Sequence, residues 1–327
     1  MQAFQYASPG NVADAVKLLA ASDGSAALAG GTDLINRMKD YGATPKLVVN
    51  LKGIQALAGA GPDGVLGANV LLAQLASLRA GAPAVIQSIA QAASEVGSPQ
   101  IRNMATIGGN LLQRPRCWYF RAGHGLMGKT ADGKNLVREG DNRYGPIFMT
   151  DGDALFVNTS SLAPPMIAAG AKAVLVGPGG ERTVDVASLY QVPKGPDDLE
   201  LAIKPGELLT AVRVPVSNAK AASYEVRLKQ SHDWPLVLCS VVLEMSGDTV
   251  SKANVVLGSV APIPYVSEAA AKAIAGKAVT PETAEAAGKA AVADAKPLSM
   301  NAYKVKLAEV AVKRALLAAV GNRYWEA

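Results

Sequence analysis

The chain has 327 residues, half of them hydrophobic and 18% charged, with a net charge of +5. That length suits two or three domains with sizeable cores. Basic residues are scattered, which argues against a nucleic-acid partner, and the longest apolar stretch, Pro235 to Met245, contains Ser240 and Glu244 and falls short of the ~20 residues of a membrane helix.

The start, Met1-Gln2-Ala3-Phe4-Gln5-Tyr6, shows neither the basic nor the apolar part of a signal peptide. Cys117 and Cys239 are too few and too far apart for a disulfide scaffold. The chain is therefore expected to fold in the cytoplasm, with export of a folded complex on a partner's signal left open.

Ser8-Pro9-Gly10-Asn11 signals a helix start, and Val12, Ala15, Val16 and Leu19 follow at helical spacing until Asp23-Gly24. Ala26 to Leu28 is a short strand running into Gly30-Gly31. A helix is expected from Thr32 to Lys39 and a β-branched strand from Lys46 to Leu51. From Ile54 the pattern reads strand, turn at Pro62-Asp63-Gly64, and a second strand from Val65 to Val70. A helical stretch from Pro83 to Val96 follows. Residues 113–149 have little periodicity and many Gly, Arg and Asp, so they read as a long surface insertion. Ala171 to Val186 is a hairpin around Gly177-Pro178-Gly179-Gly180.

Three strand-like runs come next: Tyr224 to Lys229, Leu236 to Met245 and Val250 to Ser259, with a turn at Ser246-Gly247-Asp248. Two helices close the chain. Thr280 caps the first, with Pro281 at the position where a missing N–H costs nothing, and the second runs from Asn301 to Val320. Strands followed by helices predict an α+β unit at this end. The expected segments are 1–53, 54–218 and 219–327.

Two motifs match a pattern without its context. Gly59-x-Gly61-x-x-Gly64 has the letters of a dinucleotide fingerprint, but a turn and a strand follow it instead of a helix. Gly123-His124-Gly125-Leu126-Met127-Gly128-Lys129-Thr130 fits the P-loop consensus. The residues before it, Arg114 to Arg121, are too basic for a central strand, and Asp132-Gly133 after it breaks a helix. A P-loop nucleotide site stands as the main alternative function. His124 and His232 are isolated, so neither a metal site nor a catalytic triad is expected, and no catalytic acid or base is named.

A different constellation points to a ligand. In Leu28-Ala29-Gly30-Gly31-Thr32-Asp33-Leu34 a strand ends in two glycines, and a hydroxyl and a carboxylate lead into a helix. Backbone N–H groups in such a turn can hold a diphosphate, and glycine permits close approach. An ordinary turn with Thr32 or Asp33 as helix cap is the plain alternative. A second Gly-Gly turn, Thr106-Ile107-Gly108-Gly109-Asn110, is read as offering further N–H groups, a hydroxyl and an amide. Two such turns suggest one long phosphorylated cofactor clamped between neighbouring units.

The pair A-G-G-T-D-L and A-T-I-G-G-N-L, in this order, resembles the FAD-binding subunits of the xanthine dehydrogenase, aldehyde oxidoreductase and carbon monoxide dehydrogenase family. Ser160-Ser161-Leu162-Ala163-Pro164, Leu257-Gly258-Ser259-Val260-Ala261-Pro262-Ile263-Pro264, Asn301-Ala302-Tyr303-Lys304 and Arg314-Ala315-Leu316 extend the likeness over the whole chain. The resemblance implies an α+β protein: a two-part α/β FAD-binding domain of the vanillyl-alcohol-oxidase kind, then an α+β C-terminal domain with an antiparallel sheet. It implies FAD diphosphate on Ala29 to Leu34, with Leu28 also at the cofactor, and Thr106, Gly109 and Asn110 at the phosphate and ribityl part. Gln113 and Ser161 would be further contacts, with Leu208 in the apolar flavin pocket.

It also implies partners, a molybdenum-cofactor subunit and a two-iron two-sulfur subunit, with this chain passing electrons to an external acceptor. The segment from Leu111 to Arg121 is similar to a subgroup whose insertion holds a four-iron four-sulfur cluster. Such a cluster takes four thiolates, and only Cys117 lies there, so no cluster is expected and Cys117 reads as a packed side chain. Ser161 stands where the family's element has Asp, and Glu225 where relatives often carry Lys. Those departures keep a second alternative, a scaffold subunit that has lost FAD.

Overall fold

The structure is a computed structural model that describes residues 1–21, 23–61, 63–78 and 81–326. Pro62, first residue of the turn expected at 62–64, and Ala327, the end of the expected third segment, lie outside the described residues.

The first unit is a parallel sheet in the order β1 (Gln5–Ala7), β3 (Leu47–Asn50), β2 (Ser25–Leu28). Helix α1 (Val12–Ala21) links β1 to β2, and Asn11 starts it by accepting a bond from Asp14 N–H at 2.8 Å. Helix α2 (Leu34–Lys39) links β2 to β3 and begins two residues later than the spacing predicts. Ala15 and Val16 of α1 pack against Val49, Leu51, Ile54 and Leu57.

The second sheet is antiparallel, in the order β4 (Val65–Gly67), β7 (Leu208–Arg213), β5 (Lys172–Gly177), β6 (Gly180–Asp185). The strand expected before the 62–64 turn is absent among the described residues. Gln55–Leu57 is a 3-10 turn instead, and Ala60 alone bridges to Leu66. Leu57 explains this: its side chain is fully buried, and its carbonyl accepts from Asn69 N–H, so the chain curls inward there. Helices α3 (Leu72–Ser77), α4 (Ala84–Glu95), α5 (Pro99–Arg102), α6 (Ile107–Leu111) and α9 (Ala163–Ala168) belong to this unit. Leu72, Ile89, Ile107, Leu111 and Met166 from them cover Leu66, Leu175 and Leu209 of the sheet.

Residues 113–149, expected as a surface insertion, are exposed at 122–125 and 131–134 but also bury residues 126–128 and 145–148. They contain two one-turn helices, α7 (Trp118–Arg121) and α8 (Leu136–Glu139). Leu126 and Met127 bury against Ala154 and Phe156, with Cys117 and Phe120 beside them. Asn142 fixes the insertion to the C-terminal part: its amide donates to Ser299 Oγ (3.0 Å) and its oxygen accepts from Met300 N–H (2.9 Å). The apolar residues here are separated by glycine turns, so no period betrays their burial.

The last unit is an antiparallel meander, β8 (Lys220–Val226), β9 (Val237–Ser246), β10 (Thr249–Gly258) and β11 (Tyr265–Val266). Strand β8 was expected to run to Lys229. It stops at Val226 because the Leu228 and Lys229 N–H groups both turn to the Asp233 carboxylate. Helices α10 (Glu268–Ile274), α11 (Pro281–Ala291) and α12 (Tyr303–Ala319) share a core with the sheet through Ile274, Ala287, Val312 and Leu316. The spacing predicted α11 and α12 but not α10. The architecture is α+β, with the antiparallel C-terminal sheet expected from the sequence. Among the described residues no helix is long and apolar enough to cross a membrane.

Candidate functional site

Strand β2 ends at Leu28 and the chain turns through Ala29–Asp33 into α2. Two contacts require glycine. A Cβ on Gly30 would lie 2.0 Å from the Met104 carbonyl oxygen, because the turn presses on the chain that leads into α6. Gly31 has φ +76°, a backbone region costly for a branched residue. Among the described residues, the N–H groups of Gly30, Gly31, Thr32 and Asp33 donate to nothing in the chain. Four half-buried donors in succession are an unmet demand for an acceptor.

Neither Thr32 nor Asp33 caps α2 with its side chain. The Asp33 carboxylate is taken by the insertion. Arg121 Nη2 lies 2.7 Å from Oδ1, Arg116 Nη2 lies 3.2 Å from it, and Arg114 N–H donates to Oδ2 at 3.2 Å. Arg114 also pairs with buried Glu200. Arg37 stands near the same group, its pKa pushed down by burial and by Arg114. Four guanidiniums thus face two carboxylates, which leaves two positive charges uncompensated beside the open N–H groups.

The second Gly-Gly turn differs from the expectation. Its N–H groups are spent inside the chain: Ile107 donates to Val70 O (3.0 Å), Gly108 to Ala68 O (2.8 Å), Gly109 to the Thr106 hydroxyl (3.1 Å) and Asn110 to Thr106 O (2.9 Å). Thr106 is the N-cap of α6. Asn110 Oδ1 accepts from Ser160 Oγ (2.8 Å) and Leu162 N–H (3.1 Å), and Gln113 Nε2 donates to Asn110 O and Thr159 O. These residues build a wall; they do not present an anion hole.

Two clefts meet at this turn and share Thr32, Asp33, Gly109 and Gln113. One has Ala29 to Leu34 on one side and Thr106, Gln113 and Leu208 on the other, with Arg37 at its rim. The other reaches the C-terminal sheet and is lined by Asn110, Ser161, Glu225 and Trp234. Ala29 to Leu34, Thr106, Gly109, Asn110, Gln113, Ser161 and Leu208 therefore surround one continuous space. Leu28 lines neither cleft; it supports Gly31 from below, where an added Cβ would meet its Cδ1 at 3.2 Å.

Glu225 is the unusual group of the second cleft. Its side chain is 6% exposed, Oε1 is 3.3 Å from Arg227 Nε, and Oε2 has no partner. Burial pushes its pKa up to about 8, against the pull of Arg227, and Glu95 and Asp233 add to the rise. It lies on β8, and Asp233 and Glu95 line the same cleft. The sequence marked Glu225 only as a departure. It gave no sign of the arginines, although Arg114, Arg116 and Arg121 are visible as a basic run, because their counterion, Asp33, is more than 80 residues away.

The P-loop alternative fails on geometry. Helix α7 precedes the segment, a non-helical turn at 131–135 and not a helix follows Thr130 directly, and Lys129 is 2.6 Å from Asp153 Oδ2. Gly64 has φ +82° and leads into β4, as a turn does. His124 is exposed in its loop; His232 lies exposed at the edge of the second cleft. Among the described residues no cluster of three His, Cys, Asp or Glu could hold a metal. Cys239 is buried in β9, and two cysteines cannot supply four thiolates.

The sequence model of a family described as "FAD binding domain in molybdopterin dehydrogenase" matches residues 2–217, and "CO dehydrogenase flavoprotein C-terminal domain" matches residues 222–319. The chain is 31% identical to the carbon monoxide dehydrogenase medium chain of Hydrogenophaga pseudoflava, over 97% of this chain and 96% of that one. It is 29% identical to the aldehyde oxidoreductase FAD-binding subunit PaoB of Escherichia coli, over 94% of this chain and 96% of that one. A solved chain of reconstituted CO dehydrogenase from Oligotropha carboxidovorans superposes with a TM-score of 0.75 at 29% identity, over 98% of this chain and 99% of that one.

Proposed function

The chain belongs to the FAD-binding subunits of the molybdenum hydroxylases, and from that premise we propose how its residues hold the cofactor and what the subunit passes on. The FAD diphosphate lies on the N–H groups of Gly30 to Asp33, beside the positive excess of Arg37, Arg114, Arg116 and Arg121. Asp33 holds three of those arginines in place and does not itself meet the diphosphate. The two ring systems extend into the two clefts. The isoalloxazine takes the cleft with Asn110, Gln113, Ser161 and Glu225, since its pyrimidine edge needs donors and acceptors. The adenine takes the cleft with Leu208, a reassignment from the flavin pocket that the sequence suggested.

The bound flavin supplies redox chemistry; the protein supplies position and charge. The role proposed for the subunit is a relay. A partner with a molybdenum cofactor oxidises substrate, a partner with two-iron two-sulfur clusters conducts the electrons, and this chain hands them to an external acceptor. Multi-subunit CO dehydrogenases among the relatives support that assembly. Folding in the cytoplasm fits two unpaired thiols.

The observation that carries the reading is the row of four open N–H groups beside the arginine excess. Replacing Gly31 by Val puts a branched side chain at φ +76° against Ile35 Cδ1, 2.7 Å from the new Cβ. FAD titration of this variant should show at least a hundredfold weaker binding, with an unchanged far-ultraviolet circular dichroism spectrum. Unchanged FAD affinity would remove the diphosphate from this turn.

A further inference from the structure

Asn301 and the first residues of α12 take up, one after another, the carbonyl groups of residues 143–146 at the end of the insertion. Tyr303 Oη donates to Arg143 O at 2.9 Å, Lys304 Nζ to Tyr144 O at 3.5 Å and to Gly145 O at 2.9 Å, and Asn301 Nδ2 to Pro146 O at 2.9 Å. Lys304 Nζ also donates to Ser259 O at 2.6 Å, where β10 has just ended. One side chain thus joins the insertion, the end of β10 and α12. Gly145 permits the close approach, since a Cβ there would lie 3.0 Å from Asn142 O and 3.1 Å from Leu298 Cδ1. The clamped segment in turn holds α7. Asp141 N–H donates to Tyr119 Oη at 2.8 Å, and the Tyr144 ring meets Trp118 edge-on at 5.6 Å. Arg121, at the end of α7, holds Asp33 together with Arg116 and the Arg114 N–H.

Lys304 is 1% exposed, and among the described residues its nitrogen meets carbonyl oxygens and no carboxylate. The charged groups that share its cavity are engaged elsewhere. Asp141 pairs with Arg143, Arg116 with Asp33, and the Asp233 carboxylate accepts from the N–H groups of Leu228, Lys229 and Trp234. The phenols of Tyr119, Tyr144 and Tyr303 and the Cys117 thiol, which burial pushes up, complete the titratable set. A buried amine without a counter-charge resists protonation, and burial lowers this one to about 7. The neutral amine has two hydrogens, one each for Gly145 O and Ser259 O, so the two short bonds need no third proton.

We propose that Asn301, Tyr303 and Lys304 form a proton-sensitive latch that seats the arginine-bearing insertion on the cofactor turn and opens when Lys304 takes up a proton and leaves its carbonyls. Lys304 is a positioning residue, acting on the cofactor site through α7 and Arg121. The functional half of the proposal rests on the reading that puts the FAD diphosphate beside Arg37, Arg114, Arg116 and Arg121. The direction of the response follows from the two states of the amine. Seated, it ionises near 7; released to water, it returns to its ordinary 10.5. Opening therefore takes up a proton between those values, so the latch tightens as pH rises through that window and loosens as pH falls.

Hydrogen exchange of the full chain, corrected for the intrinsic rate at each pH, gives the opening constant of residues 142–149. In the parent this constant should fall about fiftyfold from pH 7 to pH 9. In Lys304→Met it should not change with pH. Tyr303→Phe removes one donor and keeps the lysine, so it should raise the constant about fivefold at every pH with the parent's slope; that variant keeps the test decisive if Lys304→Met does not fold. The slope should also persist in Glu225→Gln, because that carboxyl lines the neighbouring cleft and not this cavity. FAD at a hundredfold excess over its dissociation constant should lower the opening constants of 114–121 and 142–149 about a hundredfold, since only the seated insertion presents its arginines. An opening constant that is flat between pH 7 and 9 in the parent would overturn the latch. Exchange in the insertion that FAD leaves unmoved, in a chain that binds FAD, would overturn its tie to the cofactor. A chain that takes up no FAD would overturn the cofactor reading instead, and the pH slope of the unloaded chain would still judge the latch alone.

Discussion

Glu225 gives the chain a pH-dependent change of stability between about pH 5 and 8. A carboxyl that ionises near 4.5 when unfolded holds its proton to about pH 8 when folded. The folded chain therefore binds more protons than the unfolded one between those values, and stability falls as pH rises through that window. Arg227 on its own strand favours the ionised form, while Glu95 and Asp233 oppose it. Glu225→Gln keeps the shape and cannot ionise. Thermal melts of parent and variant should nearly coincide at pH 5 and separate towards pH 8, the variant being the more stable by a few kcal/mol. Parallel stability curves across that range would show that the carboxyl stays ionised and finds a partner.

The two glycine pairs show how much of a site a sequence carries at this scale. Both pairs stand out in the sequence, but only the first is a turn; Gly108 and Gly109 lie inside α6. Which N–H groups remain open was not legible. At the second pair two are consumed by Ala68 and Val70, about 40 residues earlier in the chain, and two by Thr106 next to it, while those of the first turn are not consumed at all. The same limit hid the arginines, whose positions became meaningful only when the fold brought them to Asp33.

Among the elements, the start of α11 was the most legible. Thr280 accepts from Thr283 N–H at 3.2 Å, with Pro281 following, and both are local signals. Thr280→Ala should cost about 1 kcal/mol by denaturant unfolding, with no loss of FAD affinity, because α11 lines neither cofactor cleft. A loss of flavin on this substitution would tie the C-terminal helices to the site in a way the packing does not. Helix α10 left a signal too: Ser267 caps it by accepting from Ala270 N–H, and an alanine-rich run follows. The insertion left none. Its small core joins Met127 to Phe156 across glycine turns, and Asn142 ties it to a loop 150 residues further on.

Across the whole molecule, buried polar bonds hold the units around the clefts. Ser223 Oγ lies 2.9 Å from Ser88 Oγ and 2.8 Å from Ser240 Oγ, which links α4 to β8 and β9. Asn254 Nδ2 donates to Ala168 O, which links β10 to α9. A cofactor seated between these units binds the folded state alone. FAD at a hundredfold excess over its dissociation constant should therefore add about 2.7 kcal/mol. One unfolding transition should move upward as a whole; a rise confined to part of a two-step melt would mean that the cofactor is held by one unit only.

The central claim is that this chain holds FAD as its redox group and no iron. The visible absorption spectrum of the purified chain, taken with its cofactor extract and iron content after incubation with FAD, tests both halves at once. The expected result is a flavin spectrum, one FAD per chain in the extract and iron far below stoichiometry. A chain that stays colourless in excess FAD, or one that carries about four irons, would contradict it.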